Sequence, residues 1–352
     1  MKLLPERSAA APLLSLALLM RMAVELSVFF PNAANASWMC PLLGFVLFLP
    51  FMFALRQAEK LMQSSPWEGV RIALPGLLKT SIEVIFALLL MYDAALLVRL
   101  TASSYNVLAL NHVTVHLLIF PLAAVIILVI LMGINALGNS ARMAMRFLLV
   151  LLLILLCVQL PEYRFSYLTP LLGPGYRNII AGSISCAGNM ALISLIWFLA
   201  QPGKNSRGLA RYALFSALGT TALMLMLHAG YPSMPQMDFT RAARIELVLS
   251  NGRMSLAPQF LLNILWYSGL LYLISAEVCA ASCWLKLALK KLALPAIAVV
   301  ETGIISLAAI YNPWWLQKAQ LMNMATYALV GAPFALTLLT VFIKRKGDIS
   351  CA

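Results

Sequence analysis

The chain has 352 residues, of which 62% are hydrophobic and only 11% charged. A water-soluble fold of that composition would expose too much apolar surface, so lipid is the expected solvent. The formal net charge of +13 sits singly or in twos and threes at the ends of apolar runs, not as a basic stripe on a polar module with interleaved aromatics, which argues against nucleic-acid binding.

A spanning helix needs about 20 apolar residues, and such runs lie at 11–30, 38–55, 73–99, 113–132, 143–160, 178–200, 210–230, 258–285, 292–310 and 324–343. The expectation is an all-α, polytopic bundle of about ten spans forming one integral membrane domain over residues 1–352. The first run follows Lys2 and Arg7 and ends near an A-x-A pattern at Ala34-Asn35-Ala36. It is too long for a signal peptide and contains Arg21 and Glu25, so it reads as the first membrane helix. Those two side chains are four apart and share a helix face. They form either an internal ion pair that merely lets the helix insert, or one half of a site for a ligand bearing both charges, such as a zwitterionic amino acid.

The third and eighth runs are longer than the hydrocarbon core is thick, which predicts tilt or extension beyond it. Ionisable side chains in hydrocarbon cost several kcal/mol unless paired or hydrated, and the third run carries two. Glu83 has Lys79 one turn before it and reads as a snorkelling pair. Asp93 has no basic residue at i±3 or i±4, and its partner must come from another helix or a water-filled cavity. His116 and His228 sit near helix ends and read as interfacial. The sixth run is interrupted by Gly182-Ser183-Ile184-Ser185-Cys186-Ala187-Gly188-Asn189, which fits either an unwound helix whose freed backbone binds a ligand or a small-residue face for close packing. The connection 231–257 opens with Pro232 and Pro235 and then alternates apolar and charged residues from Phe239 to Leu249. It fits an ordinary extracytoplasmic loop or an amphipathic helix acting as a lid. Glu277 and Glu301, in the eighth and ninth runs, have no local counter-charge; Asp93 and Glu277 are the candidate protonation sites.

Cysteine usage adds no chemistry. The six cysteines show no CxxC, and Cys279 and Cys283 share a helix face with no His or further Cys beside them, so neither a zinc site nor a disulfide framework is indicated.

Lys2, Arg7, Arg56, Lys60, Arg71, Arg142, Arg146, Lys204, Arg207, Arg211, Lys286, Lys290, Lys291, Lys344, Arg345 and Lys346 fall on one side of the ten-span arrangement. The other side holds only Arg99, Arg164, Arg177, Arg241, Arg244, Arg253 and Lys318. The positive-inside rule then predicts that both termini are cytoplasmic. The first and sixth runs, which open the two five-helix halves, both carry polar interruptions near mid-membrane, the pattern of an inverted five-plus-five transporter fold. No phosphate loop, HExxH or G-x-S-x-G motif occurs, so neither catalysis nor a cofactor is expected.

The connections carry a resemblance. Phe29-Phe30-Pro31, Ala34 and Ser37-Trp38 resemble the end of the first helix and the start of the second in the permease-like B subunits of bacterial spore germinant receptors. Gly133-Ile134-Asn135-Ala136-Leu137-Gly138 before Ala141-Arg142 resembles that family's G-x-E-x-x-A-R turn, and Tyr167-Leu168-Thr169-Pro170-Leu171-Leu172 with Gly175 its L-x-P-L-L-x-x-G approach to the sixth helix. Tyr231-Pro232, Gly252-Arg253, Trp266 and Leu271-Tyr272 resemble its outer loop and eighth helix. The similarity runs from about Arg21 to Lys291. Two features depart from it: Arg21-Met22-Ala23-Val24-Glu25 stands where the family's first helix carries glycine, and Leu108-Ala109-Leu110-Asn111-His112 replaces its L-P-x-T-P turn.

The family is a branch of the amino acid, polyamine and organocation transporter superfamily. The resemblance therefore implies a five-plus-five (LeuT-like) bundle in the bacterial cytoplasmic membrane, specifically the inner spore membrane. It implies binding of a small germinant, often an amino acid, in a complex with a larger membrane subunit and a lipoprotein. By that fold's logic a cavity walled by helices one, three, six and eight is lined by Arg21, Glu25, Tyr92, Ser185, Gly188, Ser268 and Tyr272. The alternative is an amino-acid or organocation permease coupled to a cation, with Glu25, Asp93 or Glu277 titrating.

Overall fold

The structure, a computed structural model, describes residues 6–26, 36–62, 67–68, 74–109, 114–159, 166, 175–200, 209–230, 256–311 and 329–330. Among them nine α-helices form: α1 (Arg7–Val24), α2 (Cys40–Met62), α3 (Gly76–Ala109), α4 (Val115–Met132), α5 (Ile134–Gln159), α6 (Tyr176–Leu199), α7 (Leu209–Gly230), α8 (Leu256–Ala288) and α9 (Leu294–Tyr311). Eight are long and apolar enough to cross a membrane, and α4 contributes a shorter apolar stretch, His116–Met132. The chain is an all-α polytopic membrane protein. The expected tenth span, 324–343, and the 231–257 connection lie outside the described residues, apart from 329–330 and from 256–257, which open α8.

The packing follows the two-half logic. Each helix of the first four meets its counterpart five places on: α1 on α6, α2 on α7, α3 on α8 and α4 on α9. The contact of α2 with α6 is matched by that of α1 with α7. Within this arrangement 89% of the spanning window of α1 and 83% of that of α6 is buried, against 22% for α5 and 33% for α9. The first and sixth helices are thus the axis of the bundle, while α5 and α9 offer Phe147, Val150, Val299 and Leu307 to lipid.

Burying a polar backbone so completely requires that its loose carbonyls be met from neighbouring helices. Pro12, inside α1, has no N–H for the carbonyl of Ser8; Arg142 of α5 donates to that oxygen at 2.8 Å. On the α7 side, the Ser216 hydroxyl donates to Ser15 O at 2.8 Å and Thr220 to Leu19 O at 3.1 Å. Small residues permit these approaches. A Cβ on Gly138 would collide with the backbone carbonyl of Ala9, whereas one on Gly303 would meet nothing within 4 Å. Gly138→Ala is accordingly expected to lower stability by about 1–3 kcal/mol through overpacking, and Gly303→Ala to raise it by up to about 1 kcal/mol through helix propensity. Thermal midpoints of the detergent-purified variants check both signs.

Two sequence expectations change. The sixth helix is continuous from Tyr176 to Leu199, so the Gly182–Asn189 stretch is not an unwound segment. Its small residues serve close packing instead: a Cβ on Gly44 of α2 would stand 2.7 Å from Cys186 Cβ and 2.9 Å from Ser183 O. The Ser183 hydroxyl is spent on Ile179 O at 2.7 Å. The Gly133–Gly138 stretch, expected as a turn, is a one-residue break, with Gly133 at φ +83°; α5 begins at Ile134, nine residues before the apolar run. A left-handed glycine lets α4 stop and α5 start with no intervening loop.

Candidate functional site

Arg21 lies on the last turn of α1 and is fully buried. Its guanidinium meets two carboxylates. Nε donates to Asp93 Oδ2 at 2.7 Å and Nη2 to Asp93 Oδ1 at 2.9 Å, a bidentate pair with α3, and Nη1 donates to Glu25 Oε2 at 2.9 Å. The planar fork suits this task, because it presents parallel N–H groups to one carboxylate and leaves another for the next. Asp93, which lacked a partner on its own helix, finds it on α1. The Arg21–Glu25 pair expected at i, i+4 is formed, but as one edge of a larger cluster.

The second Glu25 oxygen accepts from the Ser185 hydroxyl of α6. Glu25 follows the regular end of α1 and opens a wider π-type turn over residues 25 and 26. From α8, Glu277 is fully buried and faces both Asp93 and Arg21. Its carboxyl comes close enough to that of Asp93 to interact with it, without the alignment of the Arg21 bonds. Three carboxyls therefore surround one guanidinium. One turn beyond Ser185 on α6, Asn189 is also fully buried, and its amide nitrogen and oxygen are unsatisfied among the described residues.

The cluster gathers one or two side chains from each of the four helices named from the sequence: Arg21 and Glu25 (α1), Asp93 (α3), Ser185 (α6) and Glu277 (α8). The other expected site residues are placed differently. Tyr92 is half-buried, near enough to Asp93 and Arg21 to interact with both charges, and borders a groove between α3 and α9 of about 360 Å³, with Leu89, Ile304 and Ala308. Gly188 is buried within continuous α6. The Ser268 hydroxyl is turned to its own helix, on Ile264 O and Leu265 O, and Tyr272 is half-buried against the core. Asn189 was not singled out from the sequence, although it closes the polar stretch that drew attention to α6.

Glu83 is also not the snorkelling partner of Lys79. It is 1% exposed and accepts from the indole Nε1 of Trp67 at 3.0 Å. Glu301 is likewise buried, with Ser282 donating to its Oε2. That pair stands beside a separate cavity of about 500 Å³ lined by Asn135, Cys279, Ser282, Cys283 and Lys286.

Chemically, the central cluster has a clamped guanidinium and an excess of acid. Such a set can bind a small hydrogen-bonding cation or exchange a proton, and it couples four helices through shared charge.

Comparison with known proteins gives one family. A model of the family described as spore germination protein matches residues 17–248, more than half of the chain. The match covers Arg21, Glu25, Asp93 and Ser185 and stops before α8, so Glu277 lies outside it. A search of curated proteins returns no match.

Proposed function

The chain belongs to the spore germination protein family, and we propose that it is a germinant-sensing, permease-like subunit whose ligand occupies the Arg21–Asp93 cluster at mid-membrane. The single observation that supports this reading most is the excess of acid: three buried carboxyls, Glu25, Asp93 and Glu277, gather around one guanidinium. Arg21 has little charge left for a ligand carboxylate. The excess acid suits the ammonium of an amino acid. The ligand would shift an equilibrium between packings of α1, α3, α6 and α8, and a larger membrane subunit and a lipoprotein would sense that shift. The working membrane in this reading is the bacterial cytoplasmic membrane, inner in the spore, with both termini cytoplasmic.

The test is direct binding. Purified protein in nanodiscs is presented with radiolabelled amino acids one at a time, and the same measurement is repeated with Glu277→Gln and Ser185→Leu. Loss of the charge-assisted contact is expected to weaken binding about tenfold or more in Glu277→Gln. Unchanged affinity in both variants would sink the site assignment.

The second reading, a cation-coupled amino-acid or organocation permease, draws on the same excess of acid. Proteoliposome uptake under an imposed proton gradient separates the two. A sensor binds without accumulating substrate, whereas a permease concentrates it and loses the coupling in Glu277→Gln or Asp93→Asn.

A further inference from the structure

A tryptophan from a connection is seldom found in the middle of a bundle, because connections run over the surface. Trp67, from the α2–α3 connection, is 1% exposed. Its ring packs edge-on against Phe86 of α3 at 5.8 Å and against Trp284 of α8 at 5.0 Å, and those two meet each other at 5.1 Å. Its Nε1 is tied to buried Glu83. Three large rings and one hydrogen bond thus hold a loop residue between two spanning helices.

The register gives this packing its meaning. Phe86 precedes Asp93 by seven residues on α3, and Trp284 follows Glu277 by seven on α8. Seven residues are two turns, so each ring lies on the same helix face as its acid, about 10 Å along the axis. Both offsets point to the same side, because α3 and α8 meet start to end. It is the side of Lys286, Lys290 and Lys291, which the basic bias assigns to the cytoplasm. Between the two levels, Leu90 on α3 and Ala280 on α8 are fully buried.

We propose that Trp67, Phe86 and Trp284 form a plug that seals the charged cluster from the cytoplasm, with Glu83 as its latch, and that this seal makes the protein a receptor in place of a conduit. The inference rests on the mid-membrane site described above and goes beyond it, since it names the residues that decide between sensing and passage. Edge-to-face aromatic contacts and a buried indole–carboxylate bond favour one closed arrangement. Removing the Trp67 ring opens a void that water fills, because the carboxyls above it are polar.

The experiment needs no ligand. Ala280→Cys places a thiol between cluster and plug, and a membrane-impermeant thiol reagent is applied to the cytoplasmic side of inside-out vesicles. Labelling at position 280 is read by peptide mass spectrometry, with native Cys283, which borders the cavity beside Lys286, as the reference for access from that side. With Trp67 present, position 280 is expected to react far more slowly than Cys283. Trp67→Ala should raise its rate on the order of tenfold or more, as the local opening free energy falls.

Trp67→Phe and Glu83→Gln retain a ring and an acceptor respectively, and should keep protection; Glu83→Leu should lose part of it. Should Trp67→Ala fail to yield a monodisperse protein, Trp67→Leu and Glu83→Leu carry the comparison. An unchanged rate in all the disruptive variants, or fast labelling with Trp67 in place, overturns the plug. Protection that depends on Trp67 in a protein that binds no amino acid would instead leave the plug standing and remove the ligand reading.

Discussion

Arg21→Ala is expected to be the most damaging single substitution in the bundle, costing about 3–5 kcal/mol, because breaking a buried ion pair leaves the surviving charge uncompensated. Here the loss strands two carboxylates at once, Asp93 and Glu25, with Glu277 facing the first. The thermal midpoint of the detergent-purified protein, followed by size exclusion of a fluorescent fusion, should fall steeply. Combining Arg21→Met with Glu25→Gln and Asp93→Asn should recover much of it, since a neutral set has no uncompensated charge to hide. A loss of less than about 1 kcal/mol in Arg21→Ala would match an exposed pair and contradict the burial on which the site rests.

The second large effect is a difference of sign between two neighbouring acids. Asp93→Asn places an amide nitrogen against a guanidinium and gives up half of a bidentate pair, for a loss of about 2–5 kcal/mol. Glu277→Gln removes the third acid around one guanidinium, one that faces Asp93, and it supplies an amide that can donate to Asp93. It is expected to gain about 1 kcal/mol. Measured side by side at one pH and lipid composition, the two midpoints should move in opposite directions. A fall of similar size in both would mean that Glu277 is as firmly engaged as Asp93.

The sequence carried the frame of this arrangement because hydrocarbon punishes unpaired charge. Asp93, with no local partner, already required one on another helix or in a water-filled cavity, and Arg21 of α1 reaches it from across the bundle. The continuity of α6 was not legible. Gly182, Ser183 and Gly188 are as compatible with a broken helix as with a close contact, and only the approach of Gly44 decides between them. Glu83 was misread for a related reason: Lys79 was visible at helical spacing, while the indole that takes its place arrives from a connection with no periodicity to follow. Asn189 was passed over as the end of a small-residue stretch, although its amide makes it the least comfortable residue on that face.

The burial of α1 bears on how the chain is made. Among the described helices α1 is the one lipid touches least in the finished protein, and it carries a guanidinium and a carboxylate whose remaining partners, on α3, α6 and α8, emerge after it. Until α3 arrives, α1 has only its internal pair to offset the cost of sitting in hydrocarbon, and its bond to Ser185 waits for α6. The helix must therefore be retained near the insertion machinery or held shallow in the bilayer, settling as later segments close around it. Assembly of this bundle proceeds inward, with its axis completed last.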